Sequence, residues 1–142
     1  MKKKIVYLGG SFQILGAGHV KAFELAKSFG DYLIVGLNTD ELILSFKNQK
    51  TPIPYDQRKV ILDSIKYIDE VIPVKEFSPL SILKEYNVDV FVLTKEWESS
   101  KEEEITYMKS KGSEIRFSPR FKGVTCTSEL KKIIIEEAKN KE

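Results

Sequence analysis

A chain of 142 residues with 31% charged and 42% hydrophobic residues and a formal charge of +2 has the make-up of a soluble globular protein, long enough to bury a core as one domain over residues 1–142. That small charge, with lysines spread along the chain, argues against nucleic acid as a partner. Cys126 is the only cysteine, which excludes an intramolecular disulfide and a paired-cysteine metal site and fits a cytoplasmic protein; no stretch approaches the ~20 apolar residues that membrane insertion needs.

Met1-Lys2-Lys3-Lys4 reads as a charged lead-in to the first strand rather than a signal peptide, because glycine interrupts the apolar run after four residues. Strands are predicted at Ile5–Leu8, Tyr32–Leu37, Glu70–Val74, Val88–Leu93 and Glu114–Phe117. Helices are predicted at Val20–Phe29, Asp56–Tyr67, Pro79–Tyr86, Lys101–Lys111 and Ser128–Lys139. This alternation requires a parallel sheet with crossover helices, and the second and fourth strands, apolar nearly throughout, are expected to be central. Gly30 and Gly112 stand where C-terminal caps belong, and Ser78-Pro79 where a cap and first helical residue belong. Val60, Ile61, Ser64, Ile65 and Ile68 are expected to form the buried stripe of the second long helix. Leu130, Ile133, Ile134 and Ile135 are expected to lay the last helix across the sheet.

Three segments fall outside regular structure, and each follows a strand. Gly9-Gly10-Ser11-Phe12-Gln13-Ile14-Leu15-Gly16-Ala17-Gly18-His19 follows the first strand, Asn38–Tyr55 the second with room for a short helix, and Ser118–Ser128 the fifth. All three should meet at the carboxyl edge of the sheet, where open α/β folds bind ligands. The glycine-lined turn, with a helix starting just beyond it, is laid out as an anion site: the backbone can approach a ligand closely and unpaired N–H groups point at it. It matches neither G-x-G-x-x-G nor the lysine-bearing P-loop, so the spacing alone leaves a plain βα turn open. The only histidine, His19, stands at that junction.

Several motifs in one order then resemble a known group. Gly10-Ser11-Phe12-x-x-Leu15-x-x-Gly18-His19 leads to Gly30-Asp31-Tyr32-Leu33-Ile34-Val35-Gly36 and Asn38-Thr39-Asp40-Glu41. Arg58 and Lys66-Tyr67-Ile68-Asp69-Glu70-Val71-Ile72-Pro73 follow, and Arg120 with Gly123-Val124-Thr125-x-Thr127-Ser128 closes the set. Together they resemble the small cytidylyltransferases of the HxGH nucleotidyltransferase superfamily over nearly the whole chain. The resemblance implies a Rossmann-like, doubly wound α/β domain, its five parallel strands in the order 3-2-1-4-5 between helices. It also implies transfer of CMP from CTP to a small phosphorylated alcohol such as glycerol 3-phosphate, release of pyrophosphate, Mg2+ as cofactor, and a homodimer through Lys66–Pro73.

The same resemblance implies the site residues. His19, Lys47 and Arg120 are expected to be catalytic, and Gly10, Ser11, Phe12, Gly18, His19, Arg120, Gly123, Val124, Thr125, Thr127 and Ser128 to bind the nucleotide. Lys47, with Lys50 as the alternative, and Arg58 are expected to bind the acceptor. Two positions depart from the pattern: Gly16 replaces the first signature histidine, and Gln13 replaces an acidic residue. Lys95 is a candidate for the missing positive charge, and the departures leave open a nucleotide-binding protein with impaired turnover. An enzyme that uses ATP is also open, since base choice rests on loop geometry.

Overall fold

The computed structural model describes residues 2–141. Five parallel strands, β1 (Ile5–Gly10), β2 (Tyr32–Asn38), β3 (Glu70–Val74), β4 (Val90–Thr94) and β5 (Glu114–Ser118), form one sheet in the order β3-β2-β1-β4-β5. The helices are α1 (Ala17–Ser28), α2 (Asp40–Lys47), α3 (Tyr55–Asp63), α4 (Leu80–Glu85), α5 (Glu102–Ser110) and α6 (Thr127–Asn140). The strand order and the doubly wound α/β class are as predicted. β1 holds the centre, between β2 and β4, so the order reverses beside it and a crevice opens at its carboxyl end.

Two apolar clusters divide the core by sheet face. Val6, Leu8, Leu33, Val35 and Val92 pack against Phe23 and Ala26 of α1 and Leu62 of α3. Tyr7, Ile34, Ile72, Phe91 and Leu93 pack against Leu83 of α4 and Met108 of α5. Alternate residues of one strand thus serve opposite faces, as a sheet covered on both sides demands. The amino edge is closed by aspartates: Asp31, Asp69 and Asp89 accept the backbone N–H groups of Lys4, Leu33 and Ile5 at 2.8, 2.7 and 2.8 Å. The carboxyl edge carries the irregular segments instead.

Three expectations are corrected. The predicted stripe on the second long helix packs only in part: α3 ends at Asp63 and buries Arg58 and Leu62, Val60 is 69% exposed, and Ile65 and Ile68, beyond the helix, are the stripe residues that pack on the core. Nor does the last helix lie across the sheet, since no residue of α6 is buried and Ile133, Ile134 and Ile135 are each about half exposed. Both sheet faces are already covered by α1 with α3 and by α4 with α5, so α6 finds no open sheet face to cover. Gly30 and Gly112 do follow the C-cap residues Phe29 and Lys111; Gly112 takes the left-handed conformation, with φ +77°, and at Gly30 space is short as well, since a Cβ there would come within 2.7 Å of the Lys4 carbonyl. Finally, Pro79 is itself the N-cap residue of α4, one position later than predicted.

Gly36 makes room for a large neighbour. A Cβ at position 36 would collide with the Tyr7 hydroxyl and come within 2.7 Å of Val74 Cγ2, while Tyr7 is 1% exposed and its phenol is pushed far above the ordinary range by burial. Gly36→Ala should therefore cost about 1–3 kcal/mol through overpacking, read from urea unfolding, and Tyr7→Leu should recover part of that loss in the double variant. Equal unfolding midpoints for the wild type and Gly36→Ala would contradict this packing.

Candidate active site

The turn after β1 is built around a residue in an unfavourable conformation. Phe12 adopts φ +46°, a left-handed geometry that costs an aromatic residue about 1–2 kcal/mol. Its ring folds back over Gly10, where a Cβ would lie 2.9 Å from Cζ. The ring then meets Phe23 at 5.2 Å and the His19 imidazole edge-on at 5.9 Å between centroids.

His19 lies in the first turn of α1. The Gly16 N–H donates to its Nδ1 at 3.1 Å, so in the neutral ring the proton resides on Nε2, which is left to donate outward. Burial holds the imidazole below the ordinary pKa of 6.5, so the neutral form prevails at pH 7.

The segment before α6 folds onto this turn. Thr127 Oγ1 donates to the Ile14 carbonyl at 3.3 Å, a Cβ at Gly16 would lie 3.5 Å from the Thr125 carbonyl, and one at Gly18 would lie 3.2 Å from Val124 Cγ2. Two chain segments more than a hundred residues apart therefore meet at the switch point, as predicted. Cys126, not Thr127 or Ser128, is the N-cap residue of α6, and no side chain caps that helix. Its leading N–H groups thus have no side-chain acceptor. Gly123 supplies the turn before it, at φ +78°.

The predicted cationic residues have different settings. Arg120 is 87% exposed on its side chain and reaches Glu96 at 3.5 Å rather than His19. Lys47 is not a loop residue but the last residue of α2, and Asn48 closes that helix in the left-handed conformation. Burial and the nearby Lys131 charge lower the pKa of Lys47, a setting that favours an anion. Lys50 lies in the loop beyond, exposed. Lys95, the candidate replacement charge, lies over the Phe117 ring at 4.7 Å and pairs with Glu98 at 3.2 Å.

Arg58 requires the largest correction. It was expected to face the acceptor, yet it is 1% exposed. Nε donates to the Ile53 carbonyl at 2.9 Å, Nη1 to the carbonyls of Ser11 and Asn38 at 2.8 Å each, and Nη2 to Asp40 Oδ1 at 2.6 Å. These bonds take up its donor fork and join the signature turn, the end of β2, the start of α2 and the loop before α3. Sequence reasoning missed this because buried and exposed arginines look alike in a helix that also carries Asp56, Lys59 and Asp63.

Among the described residues no group of three His, Cys, Asp or Glu stands together as a cation cage, and Gln13 cannot supply a carboxylate. The described side chains thus form no acidic cage, whereas magnesium in phosphoryl-transfer sites commonly uses only one or two carboxylates beside substrate phosphates. No helix among the described residues is long and apolar enough to cross a membrane.

A doubly wound sheet with a histidine-bearing turn and a helix N-terminus at its switch point is suited to hold the phosphates of a nucleotide, as a nucleotidyltransferase requires. The family model for cytidylyltransferase-like proteins matches residues 7–140, and the chain belongs to that family. Similar proteins include the glycerol-3-phosphate cytidylyltransferase of Bacillus subtilis, 40% identical over 89% of this chain and 93% of that protein. That of Staphylococcus aureus is 36% identical over 98% of this chain and 100% of that protein. Among solved structures, a lipopolysaccharide core biosynthesis protein from Thermoplasma volcanium shares the fold, with a TM-score of 0.72 and 20% identity over 84% of this chain and 99% of that one.

The depressed pKa of His19 gives a stability test. At pH 7.5 the ring is neutral in both the folded and unfolded chains; as pH falls through about 6.5 the unfolded chain takes up a proton first. Thermal unfolding should therefore show stability intact above that pH and lost below it, and His19→Asn, which keeps an acceptor for Gly16 N–H, should lose less between pH 7.5 and 5.5. An identical drop in both proteins would contradict the assignment.

Proposed function

We propose that this enzyme transfers CMP from CTP to a small phosphorylated alcohol of the glycerol 3-phosphate kind. The observation that carries the reading is the contact of the His19 turn with the Val124–Thr127 segment over the switch point, in a chain similar to proteins named for that reaction. An acceptor phosphate oxygen attacks the α-phosphorus of CTP, a new O–P bond forms, the bond to the bridging oxygen breaks, and pyrophosphate leaves in line.

Each residue has a part in that proposal. Neutral His19 donates from Nε2 to phosphate oxygens as charge builds on them. The uncapped start of α6, with Thr125, Thr127 and Ser128, receives the β and γ phosphates, and Arg120 swings from exposed Glu96 to join them. Lys47 holds the acceptor phosphate, its ammonium able to follow migrating charge. A magnesium ion bound together with CTP would neutralise part of the triphosphate charge, and among the described residues no acidic cage stands ready to hold it apart from the nucleotide.

Incubation with CTP, magnesium and a panel of polyol and sugar phosphates should release pyrophosphate with glycerol 3-phosphate, and CTP should outcompete ATP in the same assay. Silence across the panel would refute the reading. A Cβ at position 16 would make only ordinary contact with the Thr125 carbonyl. Gly16→His, by adding a second donor, should raise the rate by roughly 10- to 1000-fold; an unchanged rate would show that the missing imidazole is already replaced.

We also propose a homodimer through Lys66–Pro73. Support comes from β3 being a free sheet edge beside α3, which leaves Val60 and Ile61 exposed. Sedimentation should give twice the chain mass, with Val60→Glu shifting it to one; a monomeric wild type would refute the interface.

A further inference from the structure

We infer that Arg58 is a positioning residue for His19, acting through Ser11 and Phe12, rather than a ligand of the acceptor. The inference rests on the proposed function only in its kinetic arm.

The link runs through contacts in series. Arg58 Nη1 binds the Ser11 carbonyl, and the Asn38 carbonyl bound by the same nitrogen belongs to the residue whose Nδ2 donates to Ser11 Oγ at 3.0 Å. Ser11 is thus held at both its backbone and its side chain. That grip is applied one residue before the left-handed Phe12, which an unrestrained chain would leave for a relaxed conformation. Phe12 in turn braces the imidazole edge-on, while Gly16 N–H holds Nδ1. The ring is therefore fixed on two sides, one by its own helix and one by the Arg58 anchor.

The other half of the guanidinium sets the cationic side of the site. Nε holds Ile53 and Nη2 holds Asp40, the first residue of α2, so the helix ending in Lys47 and the loop carrying Lys50 are tied to the same group. A lysine could not replace this fork, because a point ammonium cannot serve acceptors in several directions from one plane. With so few free donors, Arg58 has little left for a substrate.

The test exploits the fact that the chain has one histidine, whose ring signals need no assignment. In the wild type the imidazole should show the Nε2–H tautomer by nitrogen chemical shift, and ring protons displaced by the Phe12 current. Arg58→Lys should move both toward free-histidine values without nucleotide present, and should lower kcat about 10- to 100-fold with KM for the acceptor changed less than threefold. Asn38→Ala, which removes only the bond to Ser11 Oγ, should shift the same signals in the same direction by less, and decides alone if Arg58→Lys does not fold. Unmoved imidazole signals in a folded variant, or a loss confined to acceptor KM, would overturn the inference. Because the spectra are taken without substrates, that result is distinct from failure of the enzyme assay.

Discussion

A guanidinium sealed from water must be ringed by acceptors, since an unpaired buried charge costs several kcal/mol. At Arg58 those acceptors are three carbonyls and one carboxylate, drawn from chain segments that have no other common partner of this strength. Satisfying the charge therefore dictates where the loops at the carboxyl edge run. The half-exposed Asp40 makes the arrangement less costly than a fully buried ion pair, because one carboxylate of the pair keeps part of its hydration.

The two edges of the sheet divide labour accordingly. At the amino edge, Asp31, Asp69 and Asp89 accept strand N–H groups. At the carboxyl edge, strain at Phe12, an α6 without a side-chain cap and two lysines near enough to repel, Lys47 and Lys131, are gathered instead. Strain and unmet charge are tolerated only where a rigid frame imposes them, and the core beneath β1, β2 and β4 provides that frame.

The sheet and its order were legible because apolar runs of strand length alternate with helical patterns, and the meeting of the first and last loops was legible from motif order. Arg58 was recognised as a site residue but given the wrong surroundings, since sequence carries the charge of a side chain and not its burial. α6 misled for a related reason: Leu130 and Ile133–Ile135 read as a packing stripe, while the sheet faces they would cover were already taken. The Gly36 and Tyr7 pairing had no local signal at all, because it joins neighbouring strands through a space visible only in three dimensions.

The account stands most directly on whether the open carboxyl edge holds a nucleoside triphosphate. Calorimetric titration of CTP into the wild type should show saturable binding at one site per chain, weakened at least tenfold by His19→Ala and likewise by Arg120→Ala. Absence of binding heat, or an affinity that both substitutions leave unchanged, would contradict it.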